Sequence, residues 1–183
     1  MSASWETIET DSPEQTMLIG AGIGRLLRAG DVVALSGPLG AGKTLFVKGL
    51  AAGLGVPETE PVVSPTFVLV RQYEGRLRLA HCDAYRLTSA TELDDLGLAE
   101  VLNDEAGVVA IEWADRFPQA FDAPTWEVEL EHAGLTRRTL RIRSPRPELN
   151  AALRELLRAP QRAANAAENE IDNSDGAGDT TPR

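Results

Sequence analysis

The sequence predicts an α/β fold, a three-layer sandwich whose central sheet is mixed but largely parallel, with β-hairpins added to it. Three observations carry this expectation. The apolar runs Val32–Leu35 and Val108–Ile111 have the composition of strands buried on both faces. Segments with the spacing of amphipathic helices flank the first run, and the glycine-rich stretch Gly37–Gly42 joins that run directly to the second helical segment. A chain of 183 residues that is 43% hydrophobic supports one ordinary core rather than two. One domain over residues 1–158 is therefore expected, and residues 159–183, rich in Ala, Asn, Asp, Glu, Gly and Thr, are expected to form a disordered acidic tail.

Alternation over Trp5–Glu9 predicts a short first strand, and Ser12 before Pro13 reads as an N-cap followed by proline at the first helical position. The helix should run to about Arg28, with Met17, Leu18, Leu26 and Leu27 on its inner face and Gly30-Asp31 as the exit. Gly20, Gly22 and Gly24 superficially suggest a dinucleotide fingerprint, but they lie inside a helical pattern and follow no strand, so they read as close helix packing. A second helix carries Leu45, Val47, Leu50 and Leu54 inward and stops near Gly53–Gly55. Thr66–Tyr73 and Leu77–Cys82 read as a hairpin about Glu74-Gly75, with Asp83 at its far end, and Thr91–Leu102 as helical or irregular. Trp126–Leu130 and Leu135–Ile142 form a second expected hairpin, and Leu149, Leu153, Leu156 and Leu157 suit a closing helix.

Charge and composition exclude several classes of function. A formal net charge of −10 opposes the clustered basic surface on which direct nucleic-acid binding depends. Cys82 is the one cysteine, so no internal disulfide forms, and it reads as a small apolar residue. No apolar run approaches the roughly 18 residues of a membrane span, and the N-terminus lacks the pattern of a secretory signal. The default expectation is a cytoplasmic protein with no membrane contact.

Gly37-Pro38-Leu39-Gly40-Ala41-Gly42-Lys43-Thr44 matches the G-x-x-x-x-G-K-[ST] phosphate loop, between an expected strand and an expected helix as that motif requires. Gly40 and Gly42 let the backbone turn its N–H groups inward at a helix N-terminus, where negative charge is favoured. Lys43 adds a point charge for the outer phosphates of a nucleoside triphosphate, and the Thr44 hydroxyl can ligate Mg²⁺. Hydrolysis needs a further acid, and Asp83 and Glu112 each follow an expected strand. Position alone suits equally a solvated carboxylate or a helix cap. Thr66 is read as a γ-phosphate sensor or a proline-set turn residue, Trp113 as a functional aromatic or core packing, and neither histidine shows a partner suggesting catalysis.

Together, Gly40–Thr44, Ser64-Pro65-Thr66-Phe67, His81-Cys82-Asp83-Ala84-Tyr85-Arg86-Leu87, Glu92-Leu93 with Leu96-Gly97, and Ile111-Glu112-Trp113 resemble the TsaE (YjeE) family in order and spacing. The resemblance implies a P-loop ATPase domain over residues 1–158. Its function would be to assist threonylcarbamoylation of the adenosine next to the anticodon in tRNAs reading codons that begin with A. It implies docking on a TsaD–TsaB pair that carries out the transfer and is reset by ATP hydrolysis, contact with tRNA only through that complex, and a monomer in isolation. The implied cofactors are ATP and Mg²⁺. The implied nucleotide set is Gly37, Gly40, Ala41, Gly42, Lys43, Thr44 and Leu45 with Trp113, the metal ligands are Thr44 and Glu112, and Asp83, Lys43 and Thr66 take the catalytic roles. Pro38, Cys82 and Ala114 depart from the family pattern without removing a proposed ligand. A small-molecule kinase is the competing enzyme reading, and it would need arginines closing over an acceptor, for which Arg71, Arg76, Arg78 and Arg86 are the mid-chain candidates.

Overall fold

The computed structural model describes residues 4–118 and 123–158, so the expected acidic tail lies outside the described residues. Its strands are β1 (Glu6–Thr10), β2 (Val32–Ser36), β3 (Val70–Tyr73), β4 (Arg78–Asp83), β5 (Gly107–Glu112), β6 (Thr125–His132) and β7 (Arg138–Arg143). The helices are α1 (Pro13–Leu26), α2 (Lys43–Gly53), α3 (Ala90–Asp94), α4 (Leu98–Leu102) and α5 (150–158). All the strands join one sheet in the order β1-β7-β6-β2-β5-β4-β3. The middle of the sheet, β6-β2-β5-β4, is parallel, and both expected hairpins supply antiparallel edges: β3 on β4, and β7 on β6 with β1 beyond it.

Alternation along the strands divides the core into two layers of contact. Val33, Leu35, Val108, Ala110, Val128 and Leu130 pack against α1, α2 and α5. Val32, Ala80, Cys82, Val109 and Ile111 face α3 and α4 on the opposite side. The result is the helix–sheet–helix sandwich the sequence predicts. Among the described residues no helix is long and apolar enough to cross a membrane.

Ser12 accepts a hydrogen bond from the Gln15 amide and Pro13 opens α1, as expected. The inner face of α1 differs from the sequence reading. Ile19 and Ile23 are buried, Met17 is half-buried and Leu18 is exposed. The glycines are the reason: a Cβ on Gly20 or Gly24 would collide with the Phe46 or Leu50 carbonyl, and one on Gly49 or Gly53 with the Met17 or Ala21 carbonyl. The two helices touch backbone to backbone, and that contact rotates the flanking isoleucines onto the sheet. On α2, Phe46 takes an inward position and Leu45 turns to the rim of a cleft.

Other boundaries shift for local reasons. Only Val70–Tyr73 of the expected first hairpin strand is extended, because Pro65 closes a turn by accepting hydrogen bonds from the Val68 and Leu69 amides. The second hairpin strand begins at Arg138 rather than Leu135. The segment expected to be helical or irregular forms α3 and α4, broken at Gly97, whose φ of 71° suits glycine. Cys82 is buried as a small apolar residue, and burial, aided by the charges of Asp83 and Glu112, pushes its thiol up to about 12.

At the opposite end of β2, Asp31 is 1% exposed and accepts two hydrogen bonds from the Arg146 guanidinium, at 2.7 and 2.6 Å. The Arg28 amide and Trp126 Nε1 complete its shell. This pair ties the segment leading into α5 to the sheet. Removing one partner of such a pair strands the other charge, so Asp31→Ala should lower unfolding free energy by about 2–3 kcal/mol, less than for a fully dry pair because Arg146 keeps some solvent. Urea denaturation checks this. Further replacement of Arg146 by Met should recover part of the loss, and a wild-type midpoint for Asp31→Ala would refute it.

Candidate functional site

The strand β2 ends at Ser36, and the Gly37–Gly42 loop returns the chain into α2. Three glycines hold positive φ, at 131° for Gly37, 76° for Gly40 and 107° for Gly42. Gly37 also lacks room for a side chain, since a Cβ there would strike the Leu130 carbonyl of β6. The loop borders a cleft of about 600 Å³ whose lining includes Gly40, Gly42, Thr44, Asp83, Glu112 and Trp113.

Lys43, the first residue of α2, is 4% exposed and lies under the loop. Its Nζ donates to the Gly37 and Pro38 carbonyls at 2.7 and 2.9 Å and stands 3.6 Å from the centre of the Trp113 ring. Burial holds the ammonium below the ordinary lysine range, opposed by the charges of Glu112, Asp115 and Asp83. Trp113 follows β5 in the left-handed region at φ 64°, a conformation that costs a non-glycine residue about 1–3 kcal/mol. That backbone sets the indole between Lys43 and Tyr85, whose ring centre is 5.0 Å away. Trp113 thus contacts the site, and it also packs on the edge of the α3–α4 core.

Both candidate acids end neighbouring parallel strands, with Asp83 paired in register with Glu112. Glu112 is also level with Leu35, near the start of the loop. Strand alternation places His81, Asp83 and Glu112 on the sheet face that α2 covers. Thr44 Oγ1 donates to Glu112 Oε1 at 2.7 Å, and His81 Nε2 lies 2.8 Å from the same oxygen. A carboxylate accepts, so Nε2 is the protonated nitrogen of His81, and the buried Nδ1 has no partner among the described residues. The sequence spacing gives no sign of this contact between His81 and a candidate acid.

Asp83 is held from the other side. Its Oδ2 accepts hydrogen bonds from Ser64 Oγ at 2.7 Å and Thr66 Oγ1 at 2.9 Å, and its Oδ1 accepts from the Tyr85 amide. Ser64 was missed as a site residue; the signal was available, since Ser64 and Thr66 bracket Pro65. The structure therefore brings Gly40, Gly42, Lys43, Thr44, Leu45, Thr66, Asp83, Glu112 and Trp113 to one cleft, whereas Ala41 is buried in the core and Gly37 lies behind the loop without lining it.

A mixed sheet between two helical layers, with a strand, a glycine-rich turn and a helix opening onto paired carboxylates, places the molecule in the class of three-layer α/β proteins. The model of the family described as Threonylcarbamoyl adenosine biosynthesis protein TsaE matches residues 10–140. The chain is 46% identical over 119 residues to the tRNA threonylcarbamoyladenosine biosynthesis protein TsaE of Treponema pallidum, covering 65% of this chain and 84% of that one. It is 39% identical over 131 residues to the Bacillus subtilis protein of the same name, covering 71% and 78%. The crystal structure of Bacillus subtilis YdiB superposes with a TM-score of 0.68 at 30% identity, over 86% of this chain and 97% of that one. The chain belongs to the TsaE family.

Proposed function

We propose that this protein binds and slowly hydrolyses ATP with Mg²⁺ in support of threonylcarbamoylation of the adenosine next to the anticodon in tRNAs reading codons that begin with A. In this reading it docks on a TsaD–TsaB pair and resets it by ATP hydrolysis, working in the cytoplasm and remaining a monomer when alone. The observation that supports it most is the 2.7 Å contact between Thr44 Oγ1 and Glu112 Oε1 at the entry of α2. A hydroxyl and a carboxylate already converge there, and hard oxygen donors are what Mg²⁺ prefers. Thr44 and Glu112 would hold the ion, which supplies neutralisation of phosphate charge when bound.

The other roles follow from the chain's own groups. The loop from Gly37 to Leu45 receives the phosphates, with Lys43 exchanging its carbonyl partners for phosphate oxygens. Asp83, with both oxygens engaged by Ser64, Thr66 and the Tyr85 amide, is fixed in orientation to position a water or accept its proton. Thr66 couples the 61–69 loop to that acid. Trp113 flanks Lys43 and borders the nucleotide cleft. The net charge of −10 supports a role reached through protein contacts rather than direct tRNA binding.

The kinase reading finds less support. Arg76 is spent on the Gly24 and Leu27 carbonyls, Arg78 on Glu74 and Asp104, and Arg86 lies over Phe67. Among the described residues neither these nor Arg71 line the cleft. Phosphate release from ATP should be slow for the isolated protein and rise on the order of tenfold or more when TsaB and TsaD are added together. Release that ignores the pair, or rapid phosphoryl transfer to a metabolite without it, would refute the accessory role.

A further inference from the structure

Arg138 opens β7, 97 residues along the chain from Ala41, yet its side chain lies against the glycine-rich loop. Its Nε donates to the Ala41 carbonyl at 3.0 Å and its Nη2 to the Gly40 carbonyl at 3.4 Å. Its Nη1 holds the β6–β7 turn through the carbonyls of Gly134, Leu135 and Arg137. Every acceptor is a neutral backbone oxygen. Arg141 and Arg143, on the same strand, pair with Glu129 and Glu127, whereas Arg138 makes no ion pair among the described residues. A positive charge without a carboxylate at ion-pair distance among the described residues therefore stands at the edge of the cleft that Lys43, Lys48, Asp83 and Glu112 also line.

A second consequence comes from peptide geometry. Within one planar trans peptide the C=O and the following N–H point in opposite directions. Drawing the Gly40 and Ala41 carbonyls toward Arg138 turns the N–H groups of Ala41 and Gly42 the other way. The Ala41 amide closes the turn onto the Pro38 carbonyl at 3.2 Å, and by the same peptide geometry the Gly42 amide points away from the Arg138 guanidinium. Gly40 and Gly42 have little of their own to prevent a peptide flip, because glycine populates both signs of φ. The loop needs an external restraint, and a planar guanidinium reaching two consecutive carbonyls and a hairpin turn provides one that an ammonium cannot.

We propose that Arg138 is a positioning residue for nucleotide binding: it presets the 40–42 peptides so that the Ala41 amide closes the turn and the Gly42 amide is left to face the phosphates, and it adds a second fixed positive charge beside Lys43. The proposal rests on the ATP-binding reading given above. It makes the β6–β7 turn part of the nucleotide site, because Arg138 joins that turn to the loop.

The test is the affinity of the full chain for a fluorescent ATP analogue with Mg²⁺, measured for wild type, Arg138→Lys, Arg138→Ala and the strand control Arg141→Ala. Arg138→Lys, which keeps the charge, should bind on the order of tenfold more weakly, the worth of one charge-assisted hydrogen bond. Arg138→Ala should bind more weakly still, and Arg141→Ala should match wild type. Added guanidinium ion, at a concentration that leaves the wild-type melting curve unchanged, should restore part of the affinity of Arg138→Ala and none of that of Lys43→Ala, a result that a general loss of folding does not give. If wild type binds the analogue and both Arg138 variants bind it equally well, the positioning role is overturned while the nucleotide reading stands. If wild type fails to bind, the nucleotide reading falls and this inference with it.

Discussion

Lys43→Ala should lower ATP affinity on the order of 100-fold, the worth of one or two hydrogen bonds from a charged donor. In the present structure the ammonium donates to the Gly37 and Pro38 carbonyls and lies against Trp113, so it is already desolvated and aimed along the loop. Phosphate oxygens offer such a cation stronger acceptors than neutral carbonyls do. Burial holds the ammonium below the ordinary lysine range, so the native fold tolerates this charge rather than depending on it. Lys43→Ala should accordingly keep a cooperative melting transition. Titration of both proteins with labelled ATP decides the matter, and unchanged affinity in the variant would remove the loop from the nucleotide site.

Glu112→Ala should act on a different quantity. The Oε1 atom of Glu112 is shared by Thr44 and His81, and the side chain is buried, so its loss removes the only carboxylate touching the Thr44 hydroxyl among the described residues. Phosphate release in the presence of the partner pair should fall on the order of 100- to 1,000-fold, the usual size of a lost electrostatic contribution to a transition state. ATP affinity should change only a few-fold, because the loop amides and Lys43 are untouched. Glu112→Gln keeps the shape and an oxygen that can accept from Thr44, and it should show the same separation of rate from affinity. A parallel loss of affinity and rate in both variants would show that Glu112 supports the loop's fold and does not serve the metal.

Much of the fold was legible because it is written in local patterns. The continuous apolar runs of β2 and β5, the Ser12-Pro13 start of α1 and the turn residues of both hairpins each depend on neighbours a few positions away. Two departures have different causes, a tertiary contact at the inner face of α1 and a local turn after Pro65. Leu18 satisfies a helical inner face by period, but the glycine contact between α1 and α2 turns it outward. Thr66–Leu69 has the composition of a strand, but Pro65 accepts two amides and closes a turn instead.

By itself the sequence determined the loop, its place between a strand and a helix, and the residue types Lys43, Thr44, Asp83 and Glu112 at the ends of their elements. What only the tertiary structure decided is which atoms meet. His81 and Thr44 share one oxygen of Glu112 across separations of 31 and 68 residues, Ser64 and Thr66 share one oxygen of Asp83, and Arg138 reaches the loop from another hairpin. Such contacts depend on strand order and register in a sheet assembled from distant segments. Local hydrophobic period and turn chemistry carry information about a residue's own element, and none about which other element lies beside it.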